Sequence, residues 1–410
     1  MKWLYDAGIR FYWLGIVISS AWNRKARIWL NGRKGWYALL WNRFQDDDRV
    51  IWFHCASLGE FEQGRPVIEM TRERLARIKI VLTFSSPSGF EKRKHYEGAD
   101  FVCYLPLDTR KNARKFIQSI PLKCAVFVKY EFWYHYLSTL KKRDIPLFLV
   151  SGIFRREQIF FKWYGAWYRR FLNSFSHFFV QGEKSKQLLN QYGFDNVTVA
   201  GDTRFDRVVK VAGTNYRNAF LEDFSGRGKV IIAGSTWDAD EKLLQEAYRN
   251  LPGDYMWIIA PHELSDAHLR RLKNTFEDSL LFTDIEKSPD NDARVIIVDT
   301  IGQLSFLYRY GTVAFIGGGF GKGIHNILEA AAYGLPVIFG PRYEKFQEAS
   351  ELIKVGGAFP VQDGFELVSA FRNLFENPIN LRTSSERCRN YVLSHTGASS
   401  LVVEKLEEYF

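Results

Sequence analysis

The sequence predicts an α/β protein of two doubly wound domains, each with a parallel sheet covered by helices on both faces. A chain of 410 residues is long for a single hydrophobic core. From Val50 onward, short apolar runs alternate with helical stretches, which is typical of parallel sheets. This alternation weakens once, across residues 205–229, and then resumes. We therefore expect two domains facing a cleft, with ligands at the carboxyl ends of the strands.

The strand candidates of the first domain are apolar runs of four to seven residues. They are Val50–Cys55, Ile78–Phe84, Phe101–Tyr104, Ala125–Val128, Pro146–Ser151, His177–Gln181 and Val197–Gly201. Helical stretches such as residues 64–78 and 108–120 lie between them. The second series is Val230–Ala233, Met256–Ala260, Arg294–Val298, Val313–Ile316, Pro336–Phe339 and Ala358–Pro360.

These patterns divide the chain into five parts. We expect an N-terminal segment at residues 1–44, an α/β domain at 45–210, a linker at 211–228, a second α/β domain at 229–383 and a C-terminal helix at 384–410. The linker is placed where Gly213, Gly226 and Gly228 interrupt the pattern, because glycine favours turns over helix or strand.

The N-terminal segment is basic and rich in tryptophan. Residues 1–44 hold eight Lys or Arg against the single acid Asp6, which is +7 of a net charge of +10, and six of the twelve tryptophans. This composition favours association with an anionic membrane interface, where aromatic rings lie at headgroup depth. The apolar run from Phe11 to Trp22 is shorter than the roughly 20 residues that span a bilayer. An amphipathic helix on its own domain and a single span remain the alternatives.

Several classes of protein and site are disfavoured by composition. Outside the first 44 residues there is no basic stripe or recognition motif, which argues against nucleic acid as a partner. The four cysteines are scattered, as in a protein of a reducing compartment. The eight histidines form no ligand pattern in the sequence, so we expect neither a metal site nor a cofactor. The expected setting is the cytoplasmic side of a membrane.

The most informative motif is a glycine-rich turn between a buried strand and a helix, at residues 313–334. Glycines let backbone N–H groups approach a ligand, and a helix N-terminus attracts anions, so an anionic ligand is expected there. Glu329 lies one turn into the helix, where it could bind ligand hydroxyl groups. Alternatively, Asn326 and Glu329 only cap that helix.

Three residues of the first half also have two interpretations each. Glu60 follows the first strand and could be a general base toward an acceptor hydroxyl, but Ser57-x-x-Glu60 also fits a capping box. Glu131 follows the strand that ends at Val128 and is either functional or a solvated loop acid. Arg204 could stabilise negative charge on a leaving phosphate or pair with a neighbouring aspartate.

Two segments of the second half lie at strand ends and could contact a ligand. Pro261-His262 follows one strand, although a lone histidine there is more often an ordinary surface residue. Ile301-Gly302-Gln303 follows another, and its backbone amides could hold a base or a phosphate.

Together these segments resemble the 3-deoxy-D-manno-octulosonic acid (Kdo) transferases of bacterial lipopolysaccharide assembly. The shared motifs occur in order after residue 50. They are His54-x-x-Ser57-x-Gly59-Glu60, Glu131-x-Trp133, Gly201-x-x-Arg204-Phe205-Asp206, Gly234-Ser235-Thr236 with Glu241, Asp299-Thr300-x-Gly302-x-Leu304 with Tyr308, and Gly323-x-His325-Asn326-x-Leu328-Glu329.

The resemblance implies a GT-B fold and inverting transfer of Kdo from CMP-Kdo to a lipid A precursor. It implies an acceptor-binding first domain, a donor-binding second domain, and no metal. Glu60 matches the base, and Glu131 and Arg204 match positions that stabilise the transition state. The segments that match CMP contacts are Pro261-His262, Ile301-Gly302-Gln303 and Asn326-Ile327-Leu328-Glu329.

The sequence departs from the family pattern at several positions. His262 stands where the family has arginine, Gln303 where it has glutamate, and Lys129 where an acid is common. These changes indicate a divergent branch with an altered phosphate or base contact. A GT-B enzyme using a UDP-sugar and a catalytically silent membrane-surface binding protein are the rival functions. The expected location is the cytoplasmic face of the bacterial inner membrane, with CMP-Kdo, a lipid A precursor and the anionic membrane surface as partners.

Overall fold

The computed structural model describes residues 1–287 and 292–410. They form two compact units, one of residues 1–206 with 396–410 and one of residues 207–395. Each unit contains a seven-stranded parallel sheet within the described residues, so the predicted fold class of two parallel α/β domains is confirmed. The second predicted domain, 229–383, includes residues 288–291, which lie outside the described part.

The first sheet has the strand order β3-β2-β1-β4-β5-β6-β7. Its strands are β1 (Arg49–Cys55), β2 (Ile78–Phe84), β3 (Phe101–Tyr104), β4 (Leu122–Val128), β5 (Leu147–Gly152), β6 (His177–Val180) and β7 (Val197–Val199). Strand order reverses between β1 and β4, whose register pairs Phe53 with Val126. This is the topological switch point, where doubly wound sheets bind ligands.

The second sheet has the order β10-β11-β9-β8-β12-β13-β14. Its strands are β8 (Val230–Thr236), β9 (Met256–Pro261), β10 (Ser279–Leu281), β11 (Val295–Ile297), β12 (Val313–Ile316), β13 (Val337–Phe339) and β14 (Ala358–Pro360). Its switch point lies between β8 and β12, where Ala233 pairs with Phe315. The short edge strand β10 was not predicted from the sequence.

The helices of the first unit cover both faces of its sheet. They are α1 (Lys2–Ser19), α2 (Arg24–Asn31), α3 (Trp36–Leu40), α4 (Leu58–Arg74), α5 (Pro87–Arg93), α6 (Arg110–Gln118), α7 (Tyr134–Lys142), α8 (Ala166–Leu172), α9 (Glu183–Gln191) and α10 (Arg204–Ala212), which continues into the second unit. A 3-10 turn at Ile159–Phe161 precedes α8.

The second unit continues the series of helices. They are α11 (Ala219–Gly226), α12 (Asp238–Asn250), α13 (Asp266–Thr275), α14 (Leu304–Leu307), α15 (Leu328–Ala332), α16 (Gln347–Val355), α17 (Gly364–Glu376) and α18 (Pro378–Ser394), with 3-10 turns at Phe282–Lys287 and Tyr308–Tyr310. Helix α19 (Ala398–Glu407) belongs to the first unit.

Burial explains why the strands were readable from sequence. Residues 50–55 of β1 are all buried, as are all six residues of β5. A strand covered on both faces needs apolar residues at successive positions, which gives continuous apolar runs. In the first unit one apolar cluster includes Trp52 and Phe127, and another includes Phe53 and Phe148.

The N-terminal segment is built into the first unit. Tyr5 donates a hydrogen bond to Asp108 at 2.5 Å, and the imidazole Nε2 of His135 lies 2.5 Å from Asp6 Oδ1. Leu40 is fully buried. The opposite side of the segment carries exposed aromatic residues, namely Trp3, Phe11, Trp22 and Trp41. Every described helix is too short or too polar to cross a bilayer.

The structure also differs from two of the expected segments, the linker and the C-terminal helix. The stretch expected as a linker, 211–228, contains helix α11. The expected single helix 384–410 is two helices, because Gly397 adopts a φ of 103° between α18 and α19. Val402 and Leu406 of α19 complete the apolar core of the first unit. Asp206 caps α19 by accepting from the Gly397 and Ser399 amides at 2.5 and 2.7 Å.

Candidate active site

Two carboxylates flank the switch point of the first sheet. Glu60 lies in the first turn of α4, which follows β1, and Glu131 lies in the loop after β4. Because β1 and β4 are parallel neighbours, their carboxyl ends lie side by side. The placement expected from sequence therefore holds for both residues.

Glu60 is part of a capping box at the start of α4, so that interpretation is correct structurally. Its Oε2 accepts hydrogen bonds from the amides of Ala56 at 2.5 Å and Ser57 at 3.2 Å. Burial and the negative charge of Glu131 nevertheless raise its pKa to about 7, while those amides and Lys129 act in the opposite direction. A carboxyl that titrates near neutrality is suited to general base catalysis. Capping and catalysis are therefore compatible here.

Glu131 is held by three donors on one oxygen. Its Oε2 accepts from Trp133 Nε1 at 2.5 Å and from Ser85 Oγ at 2.9 Å, and it lies 3.0 Å from His54 Nε2. Burial raises its pKa, but the hydrogen bonds and charge from His54, Trp133 and Ser85 outweigh burial, and the net pKa is lowered. Glu131 is therefore not a solvated loop acid.

A chain of hydrogen bonds behind Glu131 fixes the tautomer of His54. Trp52 Nε1, which can only donate, bonds Thr83 Oγ1 at 2.8 Å, and His54 Nδ1 lies 2.7 Å from the same oxygen. The Thr83 hydroxyl has one proton and two acceptors within reach, Phe53 O at 3.4 Å and His54 Nδ1 at 2.7 Å. The shorter contact favours donation to His54 Nδ1, which leaves Nε2–H to donate to Glu131. His54 is fully buried, so this alignment is protected from water.

The two carboxyls therefore have different electrostatic environments. Glu131 stays ionised in a set of fixed donors, whereas Glu60 carries a raised pKa beside it. Pairs of acids whose environments separate their pKa values mark acid–base sites. Lys129, in the loop after β4, has a φ of 61°, a strained conformation of the kind found at functional sites.

Arg204 pairs with Asp202. Its Nε lies 2.9 Å and its Nη2 2.8 Å from Asp202 Oδ2, and its amide bonds Oδ1 at 3.0 Å. Of the two aspartates considered from sequence, Asp202 is this partner, while Asp206 caps α19. Asp202 also accepts from the buried Gln63 Nε2 at 3.3 Å. About 29% of the Arg204 side chain is exposed, which leaves it accessible to an anion.

In the glycine-rich loop of the second unit, four of the glycine amides donate to groups of the protein itself. Gly317 donates to Gly234 O, Gly318 to Asp240 Oδ2, and Gly321 and Gly323 both to Gly318 O. The glycines serve close packing: a Cβ on Gly317 would lie 2.4 Å from Ser235 O, and one on Gly319 would lie 2.6 Å from Gly340 N. These four amides are therefore not donors for the anionic ligand expected from the sequence.

Asp240, which was not predicted from the sequence, binds the glycine-rich loop through the Gly318 amide. It is buried at the third position of α12, and its Oδ2 accepts from Trp237 N at 2.9 Å and Gly318 N at 2.8 Å. Its other oxygen, Oδ1, is buried without a hydrogen-bond partner among the described residues. The buried acid therefore couples α12 to the glycine loop at the switch point of the second sheet.

Asn326 and Glu329 are linked at the start of α15. Asn326 accepts from Leu328 N at 3.2 Å and donates to Glu329 Oε1 at 2.9 Å. Ile327 and Leu328 are buried, so they can position the turn but offer little surface to a ligand. Burial raises the pKa of the Tyr308 phenol and Glu329 raises it further, which places the two side chains close together.

Three rings gather at the switch point of the second sheet. Trp237 stacks on His262 with centroids 4.5 Å apart, and His262 stacks on His325 at the same distance. Trp237 Nε1 lies 3.0 Å from His325 Nε2 and must donate, so that ring is neutral with its proton on Nδ1. Burial and His262 also lower the pKa of His325. Pro261 ends β9 just before this stack.

From the sequence alone, His262 is assigned to the ligand, His325 is included only as part of a shared motif, and Trp237 is not included. Each ring follows a different strand, β9 for His262, β8 for Trp237 and β12 for His325, and these three strands are neighbours in the sheet. The position of each ring after a strand was therefore visible in the sequence, but only the strand order shows that the three rings come together.

The segment Ile301-Gly302-Gln303 precedes α14. Ile301 is 91% exposed and Gly302 has a φ of 91°. Gln303 Oε1 accepts a long hydrogen bond of 3.4 Å from the Tyr216 hydroxyl. This loop can contact a ligand with its apolar side chain and its backbone.

One group of possible metal ligands is present among the described residues, namely Asp238, Glu241 and His268. His268 Nε2 lies 2.8 Å from Glu241 Oε1, and Arg271 forms ion pairs with both carboxylates. A cation would have to displace the guanidinium, so the arrangement is that of an ion-pair cluster. Thr236 also donates to Glu241 at 3.0 Å.

Comparison with known proteins agrees with the motifs. A family model described as 3-deoxy-D-manno-octulosonic-acid transferase (kdotransferase) matches residues 30–207. A 3-deoxy-D-manno-octulosonic acid transferase of Bordetella pertussis is 26% identical over 385 residues, 88% of this chain and 87% of that protein. One of Aquifex aeolicus (strain VF5) is 27% identical over 333 residues, 79% of this chain and 86% of that protein.

Among solved structures, the UDP-GlcNAc 2-epimerase of Neisseria meningitidis bound to UDP-GlcNAc has a TM-score of 0.61 at 17% identity, over 88% of this chain and 100% of that chain. At this identity the similarity concerns the fold alone. The predicted resemblance, the GT-B fold and the assignment as a glycosyltransferase enzyme are confirmed.

Proposed function

We propose that this GT-B glycosyltransferase, similar to the Kdo transferases over most of its length, moves Kdo from CMP-Kdo to a lipid A precursor of the lipid IVA type. The observation that carries the proposal is the pair of carboxyls at the switch point of the first sheet. Glu60 has its pKa raised to about 7, beside a Glu131 held ionised by His54, Trp133 and Ser85. This is the electrostatic arrangement that a base for hydroxyl activation requires.

The reaction is an inverting displacement at the anomeric carbon. The Glu60 carboxylate takes the proton of an acceptor hydroxyl while that oxygen forms the new bond to carbon. The bond from carbon to the phosphate oxygen breaks, and its electron pair leaves with CMP. Arg204 is assigned to the charge that develops on the phosphate, because a guanidinium matches phosphate geometry.

The second unit is assigned to the donor nucleotide. The exposed loop of Ile301, Gly302 and Gln303, the His262 ring after Pro261, and the segment Asn326-Ile327-Leu328-Glu329 are the proposed CMP contacts. Glu329 is assigned to the ribose hydroxyls. His262 offers a ring and one donor where the family has a guanidinium. We therefore expect a weaker phosphate contact at this position than arginine would give.

The N-terminal segment is assigned to the cytoplasmic face of the bacterial inner membrane. Its outer side presents Trp3, Phe11, Trp22 and Trp41 to solvent, and the segment is strongly basic. Aromatic rings and cations together favour an anionic interface.

The direct test is incubation with CMP-Kdo and a tetraacylated lipid A precursor, with products resolved by mass. Each transferred Kdo adds one residue mass, so the same experiment counts them. A thermal shift with CMP and not with UDP is expected. Stabilisation by UDP alone would overturn the donor assignment in favour of a UDP-sugar enzyme. Binding of both substrates without any product would favour a catalytically silent binding protein.

A further inference from the structure

A cavity of about 520 Å³ lies within the first unit, between the N-terminal helices and the segment that follows β3. Its walls combine tryptophan rings with cations: Trp13, Trp29, Trp36, Arg27, Arg33 and Lys34. Neither sequence motifs nor family resemblance assigned this cavity a role. Its volume lies in the range of small-molecule sites.

Arg33 supplies a buried positive charge at this cavity. Its guanidinium donates to three carbonyl oxygens, those of Leu105 at 2.8 Å, Ser85 at 2.7 Å and Trp29 at 3.1 Å, and it lies 3.6 Å from the centre of the Trp29 ring. Burial lowers its pKa to about 10, so it remains charged at neutral pH. Carbonyl groups solvate a cation but do not neutralise it, and the cavity therefore favours an anion.

The cavity is linked to Glu131 through Arg33 and Ser85. Arg33 donates to Ser85 O, and the Ser85 hydroxyl donates to Glu131 at 2.9 Å. Tyr12 of α1 packs against Trp29 with ring centroids 5.9 Å apart. Burial raises the pKa of the Tyr12 phenol, and Arg33 and Glu131 act on it in opposite directions, which places it near both charges.

We propose that this cavity binds the phosphorylated, acyl-bearing end of the lipid acceptor, with the tryptophans contacting acyl chain and the cations Arg27 and Lys34 contacting phosphate. This rests on the proposed function, since it names where that acceptor is held. Charge and apolar surface both select an anionic lipid over a free sugar. The N-terminal segment is then a wall of the acceptor site as well as a membrane contact.

The test is the double variant Arg27→Gln, Lys34→Gln compared with Arg24→Gln, Lys25→Gln. Both pairs remove two cations from the same basic segment, but only the first pair lines the cavity. We expect the KM for the lipid acceptor to rise about tenfold or more in the cavity variant, with turnover at saturation within about twofold of wild type. The control should keep its KM. Equal KM changes in both variants, or none in either, would overturn the proposal.

Arg27 also bonds Ser20 O and Ala21 O, so the double variant could loosen the turn between α1 and α2. The single variant Lys34→Gln leaves these Arg27 hydrogen bonds intact, and its melting temperature should be measured beside that of wild type. It should raise the KM for the lipid acceptor several-fold. Tryptophan fluorescence should report tighter binding of lipid IVA than of its deacylated phosphodisaccharide, with the preference lost in the cavity variants. Equal binding of the two probes to wild type would also overturn the proposal. A wild type that binds lipid IVA but transfers no Kdo would refute the proposed function alone.

Discussion

His54 Nε2 lies 3.0 Å from Glu131 Oε2, and Thr83 on the far side of the ring fixes which nitrogen carries the proton. The buried imidazole is thus a donor aimed at a carboxylate that must stay ionised. Through Glu131, it influences the pKa of Glu60.

This relationship predicts different outcomes for two substitutions of His54. A glutamine amide can replace Nε2–H, whereas an asparagine amide reaches only the position of Nδ1. We expect His54→Asn to lower turnover by about 10–100-fold, as misplacement of a catalytic group does, and His54→Gln to retain more activity. In His54→Asn the acid limb of the pH–rate profile should move to lower pH, because a less ionised Glu131 repels Glu60 less.

The matched control is His177→Asn, which replaces a partly buried histidine of β6 that bonds Thr198 of β7. It should leave the profile unchanged. An unshifted profile in both His54 variants would show that the ring is only structural.

Glu60→Gln separates catalysis from helix capping. The amide oxygen can still accept from Ala56 N and Ser57 N, but the base is lost, so we expect transfer to fall by about 10²–10⁴-fold. In wild type, kcat/KM should rise with pH through about 7 as Glu60 ionises. Glu69→Gln on the same helix, which removes the ion pair to Arg65, serves as the control.

The same variant has a stability signature. The folded protein holds the proton of Glu60 more tightly than the unfolded chain, because the folded pKa is raised. The contribution of this proton to the free energy of unfolding is therefore complete below the unfolded pKa near 4.5 and is lost as the pH rises through about 7. Glu60→Gln should therefore gain stability relative to wild type between pH 5 and 8 in urea unfolding. A variant that instead loses stability steadily over that range would contradict the raised pKa.

A catalytic role of Arg204 can be distinguished from a structural ion pair with Asp202 by measuring both activity and stability of the variants. If the ion pair is only structural, Arg204→Ala and Asp202→Ala lower stability and activity in parallel. We expect Arg204→Ala to cost at least about 10-fold in turnover beyond its stability effect, because the guanidinium also meets developing phosphate charge. Arg204→Lys should recover little, since an ammonium lacks the two-donor fork. Parallel losses in the two alanine variants would leave Arg204 without a catalytic role.

Asp240 should be required for the glycine loop. Asp240→Ala leaves Gly318 N and Trp237 N without their acceptor, which is expected to cost about 1–3 kcal/mol of unfolding free energy and to weaken CMP binding. Asp240→Asn keeps an acceptor oxygen and should cost less. Glu263→Ala, an exposed acid after β9, is the control for both measurements. Full stability in Asp240→Ala would show that the loop is held by its glycine contacts alone.

The membrane contact is tested by point substitution, because Tyr5, Asp6 and Arg33 tie the segment to the first unit and a deletion would disturb the fold. Trp22→Ser with Trp41→Ser should lower partition into anionic vesicles at least about tenfold, since burying even one large apolar side chain is worth about 1.5–3 kcal/mol. High salt should weaken binding in addition. Phe365→Ser, an exposed aromatic of the second unit, is the control. If partition into the vesicles is unchanged, Trp22 and Trp41 do not contact the membrane interface.

From the sequence alone we could predict every described strand except the short edge strand β10, the two parallel sheets, and the placement of Glu60 and Glu131 at strand ends, because buried parallel strands require continuous apolar runs. The motifs also determined the family resemblance. Only the tertiary structure showed that Asp202 pairs with Arg204 while Asp206 caps α19, and that four glycine-loop amides bond within the protein. It alone brought His54 to Glu131 and set the Glu60 pKa near 7. Hydrogen-bond partners and burial depend on residues that are distant in sequence, so a local sequence pattern cannot predict them.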